Sequence, residues 1–316
     1  MTHLLDLELN IIVWLREVLP GLVGVFEMLT FLGNEMFFLL FMPLVYWCLD
    51  RATGARLTVL FLLSAATNAG AKALLNQPRP FEYAPDRVSD LFEMPLAEAV
   101  ERYEATGNGF PSGHTQNTVT IWGYLAARAR RIRIPSFPAA GALVLVLAAL
   151  LMLLVPLSRI YLAVHFPRDI VGGYVLGAAL LGLFFWLEPV ATAALVGLGL
   201  RWQVGIAVGI PVLGMLLYPH EATVTAGATL MGMGVGFALD RRWLRFETTG
   251  SLWQRALRYI LGIAGMLVLY AGLKAVFASL APVLFWRFIR YTLMGLWGSL
   301  GAPWVFTKAG LATHGE

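Results

Sequence analysis

The chain has 316 residues, of which 59% are hydrophobic and 13% are charged, and its mean hydropathy is +0.72. Soluble domains average about 45–50% apolar and about 25% charged residues, so a soluble chain of this composition would expose more apolar surface than one core can bury. The same composition excludes disordered, collagen-like and coiled-coil proteins. We therefore expect an all-α polytopic integral membrane protein.

The formal net charge is +4 and the isoelectric point is near 9.3. The basic residues form short clusters between apolar runs, which indicates orientation in a membrane and no nucleic-acid partner. The single cysteine, Cys48, lies inside an apolar run and can form no intrachain disulfide. We expect it to be a small buried hydrophobic residue.

Nine stretches are apolar enough to be spanning helices, which need about 20 residues, or fewer where their ends are buried in protein. In chain order the predicted spans are 34–49, 55–75, 114–127, 137–156, 167–187, 203–218, 222–239, 258–278 and 288–306.

The chain before the first predicted span is also apolar. Residues 3–18 predict an amphipathic helix in the membrane interface. Its apolar side would carry Leu4, Leu7, Ile11, Leu15 and Val18. Residues 20–33 and 189–200 are apolar but short. We predict three parts, with interfacial helices in 1–33, a catalytic transmembrane core in 34–187, and additional C-terminal spans without an assigned role in 188–316.

Basic residues follow the first, third, seventh and ninth predicted spans. They are Arg51, Arg56, Arg128, Arg130, Arg131, Arg133, Arg241, Arg242, Arg245, Arg255, Arg258 and Lys308. If the spans alternate in direction, these positions share one side, which the positive-inside rule makes cytoplasmic. We expect a bacterial plasma membrane protein with its N-terminus and the 76–113 and 157–166 loops outside, and its C-terminus in the cytoplasm.

Three polar stretches fall on the predicted outer side. In the first, Lys72 lies in the last turns of the second span, and Arg79 stands between two prolines that end the helix. In the second, Ser112 and Gly113 are typical of a helix N-terminus, where unpaired N–H groups favour an anion. His114 follows directly.

The third stretch runs from Ser158 to Asp169. Pro167 is a typical first-turn residue, which predicts a helix start there with Asp169 in its first turn. A carboxylate so placed can accept the N–H of one imidazole nitrogen of His165 and leave the other nitrogen as a nucleophile.

Together these stretches bring three cations, two histidines, a Ser-Gly turn and one acid to the same face of the membrane. Ionisable groups at the edge of an apolar bundle are costly and are usually functional. Cations that bind a tetrahedral anion, one histidine to attack and another to protonate are the equipment of phosphoryl transfer. The outer loops show no cluster at metal-ligand spacing, so we expect neither a metal nor another cofactor.

The three stretches resemble the signature motifs of the type-2 phosphatidate phosphatase (PAP2, lipid phosphate phosphatase) superfamily. The matching residues are Lys72, Arg79 and Pro80, then Pro111, Ser112, Gly113 and His114, then Ser158, Arg159, His165 and Asp169. The run from Leu157 to Pro167 and the nine-span layout are most similar to the glucose-6-phosphatase branch.

The resemblance implies a PAP2/haloperoxidase-type helical core and a metal-independent phosphatase. His165 would attack phosphorus to form a phosphohistidine, with Asp169 orienting it. His114 would protonate the leaving alkoxide and then activate water. The phosphoryl oxygens would be bound by Lys72, Arg79, Ser112, Gly113 and Arg159.

Several functional alternatives stay open at this point. The phosphate could pass to a lipid or sugar hydroxyl, as in a phosphotransferase, or the substrate could be a soluble sugar phosphate. A non-catalytic lipid transporter is a more remote reading. The expected partners are a phosphorylated lipid or small phosphorylated substrate and membrane lipids; the sequence predicts no oligomeric state.

The acidic 81–110 loop also has two interpretations. Leu96, Val100 and Tyr103 recur at helical spacing, which predicts a short amphipathic helix. The loop is either a solvated surface segment or a lid that favours substrates with a cationic group near the phosphate.

Overall fold

The computed structural model of the chain describes residues 2–129 and 138–315. These ranges do not include three of the arginines on which the predicted membrane orientation rests, Arg130, Arg131 and Arg133. Within these ranges the fold is all-α: no β-strand forms, and Phe246 and His314 make an isolated antiparallel bridge.

Fifteen α-helices are found in these two ranges. They are α1 (Thr2–Val18), α2 (Val23–Phe31), α3 (Glu35–Leu44), α4 (Arg51–Leu75), α5 (Pro80–Tyr83), α6 (Pro85–Val88), α7 (Leu96–Arg102), α8 (Gly113–Arg128), α9 (Ala140–Tyr161), α10 (Pro167–Gly197), α11 (Leu200–Leu217), α12 (Glu221–Leu239), α13 (Leu252–Phe277), α14 (Val283–Leu296) and α15 (Ala302–Lys308). Three π-helical turns, Val45–Leu49, Asp240–Leu244 and Trp297–Gly301, extend α3, α12 and α14, and a 3₁₀ turn, Ser89–Leu91, follows α6.

The described residues contain six helices that are long and apolar enough to cross a membrane. They are Arg51–Tyr83, Ala140–Tyr161, Pro167–Gly197, Leu200–Leu217, Glu221–Leu244 and Leu252–Phe277. A seventh span is possible if α1 and α2, which meet at a bend of 118°, count as one. The chain is an integral membrane protein, but the predicted number of nine spans is not confirmed.

The difference arises at three predicted spans, residues 34–49, 288–306 and 114–127. Helix α8, in the region 114–127, has 16 residues, and its polar side chains at Gln116, Asn117 and Thr120 are buried within the protein. A helix surrounded by protein does not need an apolar surface. The short apolar stretch that begins at residue 189 does not form a separate element. Residues 189–197 continue α10, and Pro189 lies inside that helix.

The described chain divides into two compact units. The first comprises Met1–Phe38 and Thr67–Phe185, and the second comprises Leu39–Ala66 and Trp186–Glu316. Every predicted site residue belongs to the first unit.

Helix α1 forms as predicted but uses a second apolar side that the sequence interpretation missed. Leu5, Leu9 and Ile12 are buried in the core of the first unit, together with Phe26 of α2 and Tyr161 of α9. Of the predicted apolar side, Leu15 is buried, whereas the others are exposed on the protein surface: Leu4, Leu7, Ile11 and Val18. The helix is therefore apolar on two sides.

The second unit has its own core around Trp47, Phe246 and Phe306. Two of its buried charged residues have partners: Asp240 forms an ion pair with Arg51, and Arg258 donates to three backbone carbonyls of residues 247–249. Cys48 is buried here, as the sequence predicted.

Candidate active site

Arg79 is held at the first turn of a short helix by the two prolines around it. Helix α4 ends at Leu75, and Pro80 begins α5, whose Glu82 carboxylate accepts the Arg79 backbone N–H at 2.8 Å. The Arg79 side chain is 1% exposed and donates to backbone carbonyls of Thr106, Gly107 and Val164 at 2.8–3.1 Å. These bonds fix a cation in the protein interior.

His165 and Asp169 form a buried pair at the start of α10. The helix begins at Pro167 as predicted, and His165 Nδ1 lies 3.1 Å from Asp169 Oδ2, which also accepts the Phe166 backbone N–H. A carboxylate can only accept, so this contact places the imidazole hydrogen on Nδ1. His165 Nε2 then carries a lone pair, and it lies 3.3 Å from Arg79 Nη1.

The electrostatics keep this imidazole neutral. Burial, followed by the positive charges of Arg79, Arg159 and Lys72, holds the pKa of His165 well below its ordinary value. Both effects disfavour the protonated form. A neutral imidazole whose Nε2 carries no hydrogen can act as a nucleophile.

Ser112 caps the N-terminus of α8. Its hydroxyl oxygen accepts the Thr115 backbone N–H at 3.4 Å and the Thr115 hydroxyl at 3.0 Å, so its own hydrogen stays available to a ligand. The Ser112 backbone N–H donates to the Asp169 carbonyl at 2.9 Å, which ties the second motif to the third. As the first residue of α8, Gly113 has an N–H without an intrahelical partner.

Glycine is favoured at position 113 because the Asn68 side chain of α4 approaches it closely. A Cβ atom there would lie 3.0 Å from Asn68 Oδ1. The Asn68 amide nitrogen in turn donates to Gln116 Oε1 at 2.8 Å and lies 3.3 Å from the Pro111 carbonyl. Asn68 thus holds the turn that presents the Gly113 N–H.

His114 is buried beside Asn34 and Glu104, the latter an acid of the 81–110 loop. His114 Nε2 lies 2.7 Å from Asn34 Oδ1 and 3.9 Å from Glu104 Oε2. Glu104 also accepts the Glu35 backbone N–H at 3.3 Å. Burial, and secondarily the charge of Glu35, raises the pKa of Glu104. The second histidine therefore faces an amide oxygen and a carboxyl group.

Arg159 is fully buried and only partly paired. It donates to the Thr30 hydroxyl and to the Tyr103 carbonyl, both at 2.6 Å, while its Nε has no hydrogen-bond partner among the described residues. Unpaired buried donors are rare in proteins and call for an explanation such as a ligand. The Ser158 hydroxyl, by contrast, donates to the Val155 carbonyl of its own helix at 2.6 Å.

Lys72 is half-buried near the end of α4, and its ammonium group has no hydrogen bond or ion pair to the described residues. Its backbone carbonyl accepts the Asn108 amide at 2.9 Å. The structure thus gathers the three predicted cations, both histidines, Asp169 and the Ser112–Gly113 turn within one unit.

The sequence interpretation missed Thr30, Asn34 and Asn68, and it considered Glu104 only as one acid of the 81–110 loop. Asn68 had a detectable signal, because an amide inside an apolar span is costly unless it has a partner. No grouping of three or more His, Cys, Asp or Glu side chains that could hold a metal occurs in residues 2–129 and 138–315. The metal-independent mechanism stays a prediction.

Comparisons with known proteins place these residues in a family. Residues 53–193 match the PAP2 superfamily, and residues 224–314 match the transmembrane extension of PAP2 superfamily phosphatases. The chain is 29% identical to sphingosine-1-phosphate phosphatase 2 of Mus musculus over 155 residues, which are 49% of this chain and 39% of that protein. It is also 29% identical to glucose-6-phosphatase 3 of Bos taurus over 178 residues, 52% of this chain and 49% of that one.

A solved structure gives a more distant likeness. The crystal structure of a transmembrane PAP2-type phosphatidylglycerolphosphate phosphatase from Bacillus subtilis matches 60% of this chain and 88% of its own, with 22% identity and a TM-score of 0.46. Both curated relatives are matched over less than half of their length. The two sequence matches, which together take in the three motifs and most of the C-terminal helices, show that the chain belongs to the PAP2 superfamily.

Proposed function

We propose that the protein is a membrane phosphatase that hydrolyses the phosphoric ester of a lipid through a phosphohistidine on His165. The observation that carries the proposal is the contact of His165 Nδ1 with Asp169, which leaves Nε2 beside the Arg79 guanidinium. Membership of a phosphatase superfamily supports the reaction class.

The first half of the reaction forms the intermediate. His165 Nε2 attacks phosphorus, and the bond from phosphorus to the ester oxygen breaks. Burial and the charges of Arg159, Lys72 and Arg79 lower the pKa of His114, so the proton that His114 gives to the departing oxygen is one that it takes up when the phosphate anion binds beside it. Arg79, Arg159 and Lys72 bind the phosphoryl oxygens. Electrostatic stabilisation of these oxygens is the main contribution a protein makes to phosphoryl transfer.

The second half regenerates the enzyme. His114, now neutral, takes a proton from water, whose oxygen attacks phosphorus while the bond from phosphorus to His165 Nε2 breaks. Inorganic phosphate then leaves. The same two histidines therefore serve both steps. His114 acts first as an acid and then as a base, and His165 is first the nucleophile and then the leaving group.

We also propose that the site opens on the outer face of a bacterial plasma membrane, with the N-terminus outside and the C-terminus in the cytoplasm. The support is the sequence distribution of arginines. In a Cys48→Ala background, an impermeant thiol reagent should label a cysteine introduced at Glu98 but not one at Arg242. Labelling of residue 242 alone would reverse the topology.

Phosphate release from purified protein tests the proposed activity. In detergent with EDTA, release from lipid phosphates should persist and orthovanadate should inhibit it. His165→Ala should abolish release, and His114→Ala should slow it by about 10²–10⁴-fold, as expected for lost acid–base catalysis. His220→Ala, an exposed histidine of the second unit, is the matched control and should have full activity. A requirement for Mg²⁺ would refute the metal-free reaction.

A further inference from the structure

An apolar cavity of about 590 Å³ lies along α2 in the first unit. We call it the α2 groove; its apolar wall includes Val25, Met28, Phe31 and Leu32. Val25, Met28 and Phe31 are 52%, 74% and 44% exposed. Ligand pockets in proteins have volumes of about 300–1,000 Å³, so the groove has the size of a binding site.

The inner end of the α2 groove adjoins the phosphate-binding residues. Asn34 lines the groove and its Oδ1 lies 2.7 Å from His114 Nε2. Thr30 also lines it, and its hydroxyl accepts a hydrogen bond from Arg159 at 2.6 Å. The groove therefore begins at the general acid and at one of the proposed phosphate ligands.

The in-line geometry of phosphoryl transfer places the organic group of the substrate beside the groove. In phosphoryl transfer the attacking and leaving atoms lie roughly in line through phosphorus. If His165 attacks, the ester oxygen departs on the side of the group that protonates it, which is His114. The carbon chain attached to that oxygen then begins beside Asn34, at the inner end of the groove.

Three polar residues of the groove lining, Glu27, Arg102 and Tyr103, are paired with each other. Glu27 accepts from Arg102 at 2.7 Å and from the Tyr103 hydroxyl at 2.8 Å. A sugar would need hydrogen-bond partners for its hydroxyls, whereas a hydrocarbon chain needs only the apolar wall. The lining of the groove therefore favours a hydrocarbon chain over a sugar.

We propose that the α2 groove binds the hydrocarbon chain of a lipid phosphate monoester whose phosphate is at His165. This inference rests on the proposed function and adds the place where the substrate's chain lies. Gly24 offers a direct way to test it, because it lines the groove and a Cβ atom there would meet no atom within 4 Å. This open space leaves room for a larger side chain at a position that lines the groove.

The test uses water-soluble alkyl phosphates from butyl to octyl at one fixed detergent concentration. A buried methylene contributes up to about fourfold to binding. In the unmodified protein kcat/KM should therefore rise with chain length, by about tenfold or more from butyl to octyl. Gly24→Leu should reduce that octyl-to-butyl ratio to about one third or less of its original value. Gly24→Ala, which favours the helix, should cause a smaller reduction in the same direction.

Gly182→Leu on α10 is the matched control. Gly182 is also an exposed glycine within a helix, a Cβ atom there would likewise meet nothing within 4 Å, and it lies away from the groove. This variant should keep the octyl-to-butyl ratio. Equal ratios in the unmodified protein, Gly24→Ala and Gly24→Leu would overturn the groove proposal while leaving the phosphatase intact. An unmodified protein that hydrolyses none of the substrates would instead overturn the proposed function.

Discussion

Glu8, on the first helix of the chain, accepts the backbone N–H of Arg168 at 2.8 Å, one residue before Asp169. Glu8 is 6% exposed, and its other oxygen lies 3.6 Å from the Arg168 guanidinium. The N-terminus of α10, which carries Asp169, is thus held by a carboxylate from a helix 160 residues away in sequence. Helix α1 is therefore part of the support of the proposed catalytic pair.

Removing this carboxylate should destabilise the protein. Glu8→Ala leaves the Arg168 N–H buried without a partner, which costs about 1–3 kcal/mol in the free energy of unfolding. Glu8→Gln should cost less, since an amide oxygen still accepts the bond. Unfolding in detergent measures both, with Glu17→Ala, an exposed acid of the same helix, as the control. Equal stability of Glu8→Ala and Glu17→Ala would show that the contact has no structural role.

The low pKa of His165 predicts how activity responds to acid. Burial and the neighbouring cations disfavour the imidazolium, so His165 stays neutral, and able to attack, below its ordinary pKa of about 6.5. The acidic limb of kcat/KM, corrected for ionisation of the substrate's phosphate, should lie well below pH 6.5. An acidic limb above that pH would mean that the attacking group is not this histidine in this environment.

Arg159→Lys should impair activity although it keeps the charge. Two nitrogens of the planar guanidinium donate to Thr30 and Tyr103, and Nε is left to bind a phosphoryl oxygen. Lysine cannot replace this set of donors. Losing a charge-assisted bond of this kind costs about 1.5–3 kcal/mol, so kcat/KM should fall by about 10- to 100-fold. Arg87→Lys on the exposed loop surface is the control. Near-normal kinetics of Arg159→Lys would remove Arg159 from the phosphate site.

Glu104 gives the lid hypothesis for the acidic loop a specific residue. Its carboxyl group lies 3.9 Å from His114 Nε2, on the side from which the ester oxygen would depart. The predicted loop helix is confirmed as α7, with Tyr103 buried after it. An ammonium group near the ester oxygen of a sphingoid phosphate would therefore approach Glu104, whereas phosphatidate lacks that group.

Glu104→Gln should raise the activity ratio of phosphatidate to a sphingoid phosphate by about two- to fivefold at low salt. The effect should shrink as salt screens the charge. Glu98→Gln, an exposed acid of the same loop, should leave the ratio unchanged. If Glu98→Gln and Glu104→Gln shift the ratio equally, the loop acts only through its general charge.

The residues of the three motifs could be predicted from sequence because each motif is local. Pro167 fixed the start of α10, so His165 and Asp169, four residues apart, had to lie near each other. Asn34 and Thr30 could not be found in this way. They meet His114 and Arg159 across 80 and 129 residues, and no local pattern encodes such contacts.

The number of spans was uncertain for a related reason. Hydropathy measures how a segment suits lipid, and α8 places Gln116, Asn117 and Thr120 against protein instead. The outward apolar side of α1 could be predicted from the sequence. The burial of Leu5 and Leu9 on another side could not, because it depends on contacts with α9, which is distant in sequence. Tertiary context decided both cases.

Trapping the phosphorylated enzyme tests the central claim most directly. Acid–base catalysis is needed to hydrolyse the intermediate but matters less for forming it from an ester with a good leaving group, such as 4-nitrophenyl phosphate. His114→Ala given that substrate and quenched under alkaline conditions should therefore accumulate one phosphoryl group, located by mass spectrometry on His165. The His114→Ala, His165→Ala double variant should carry none. Phosphate found on another residue, or turnover by His165→Ala at the unmodified rate, would contradict the account.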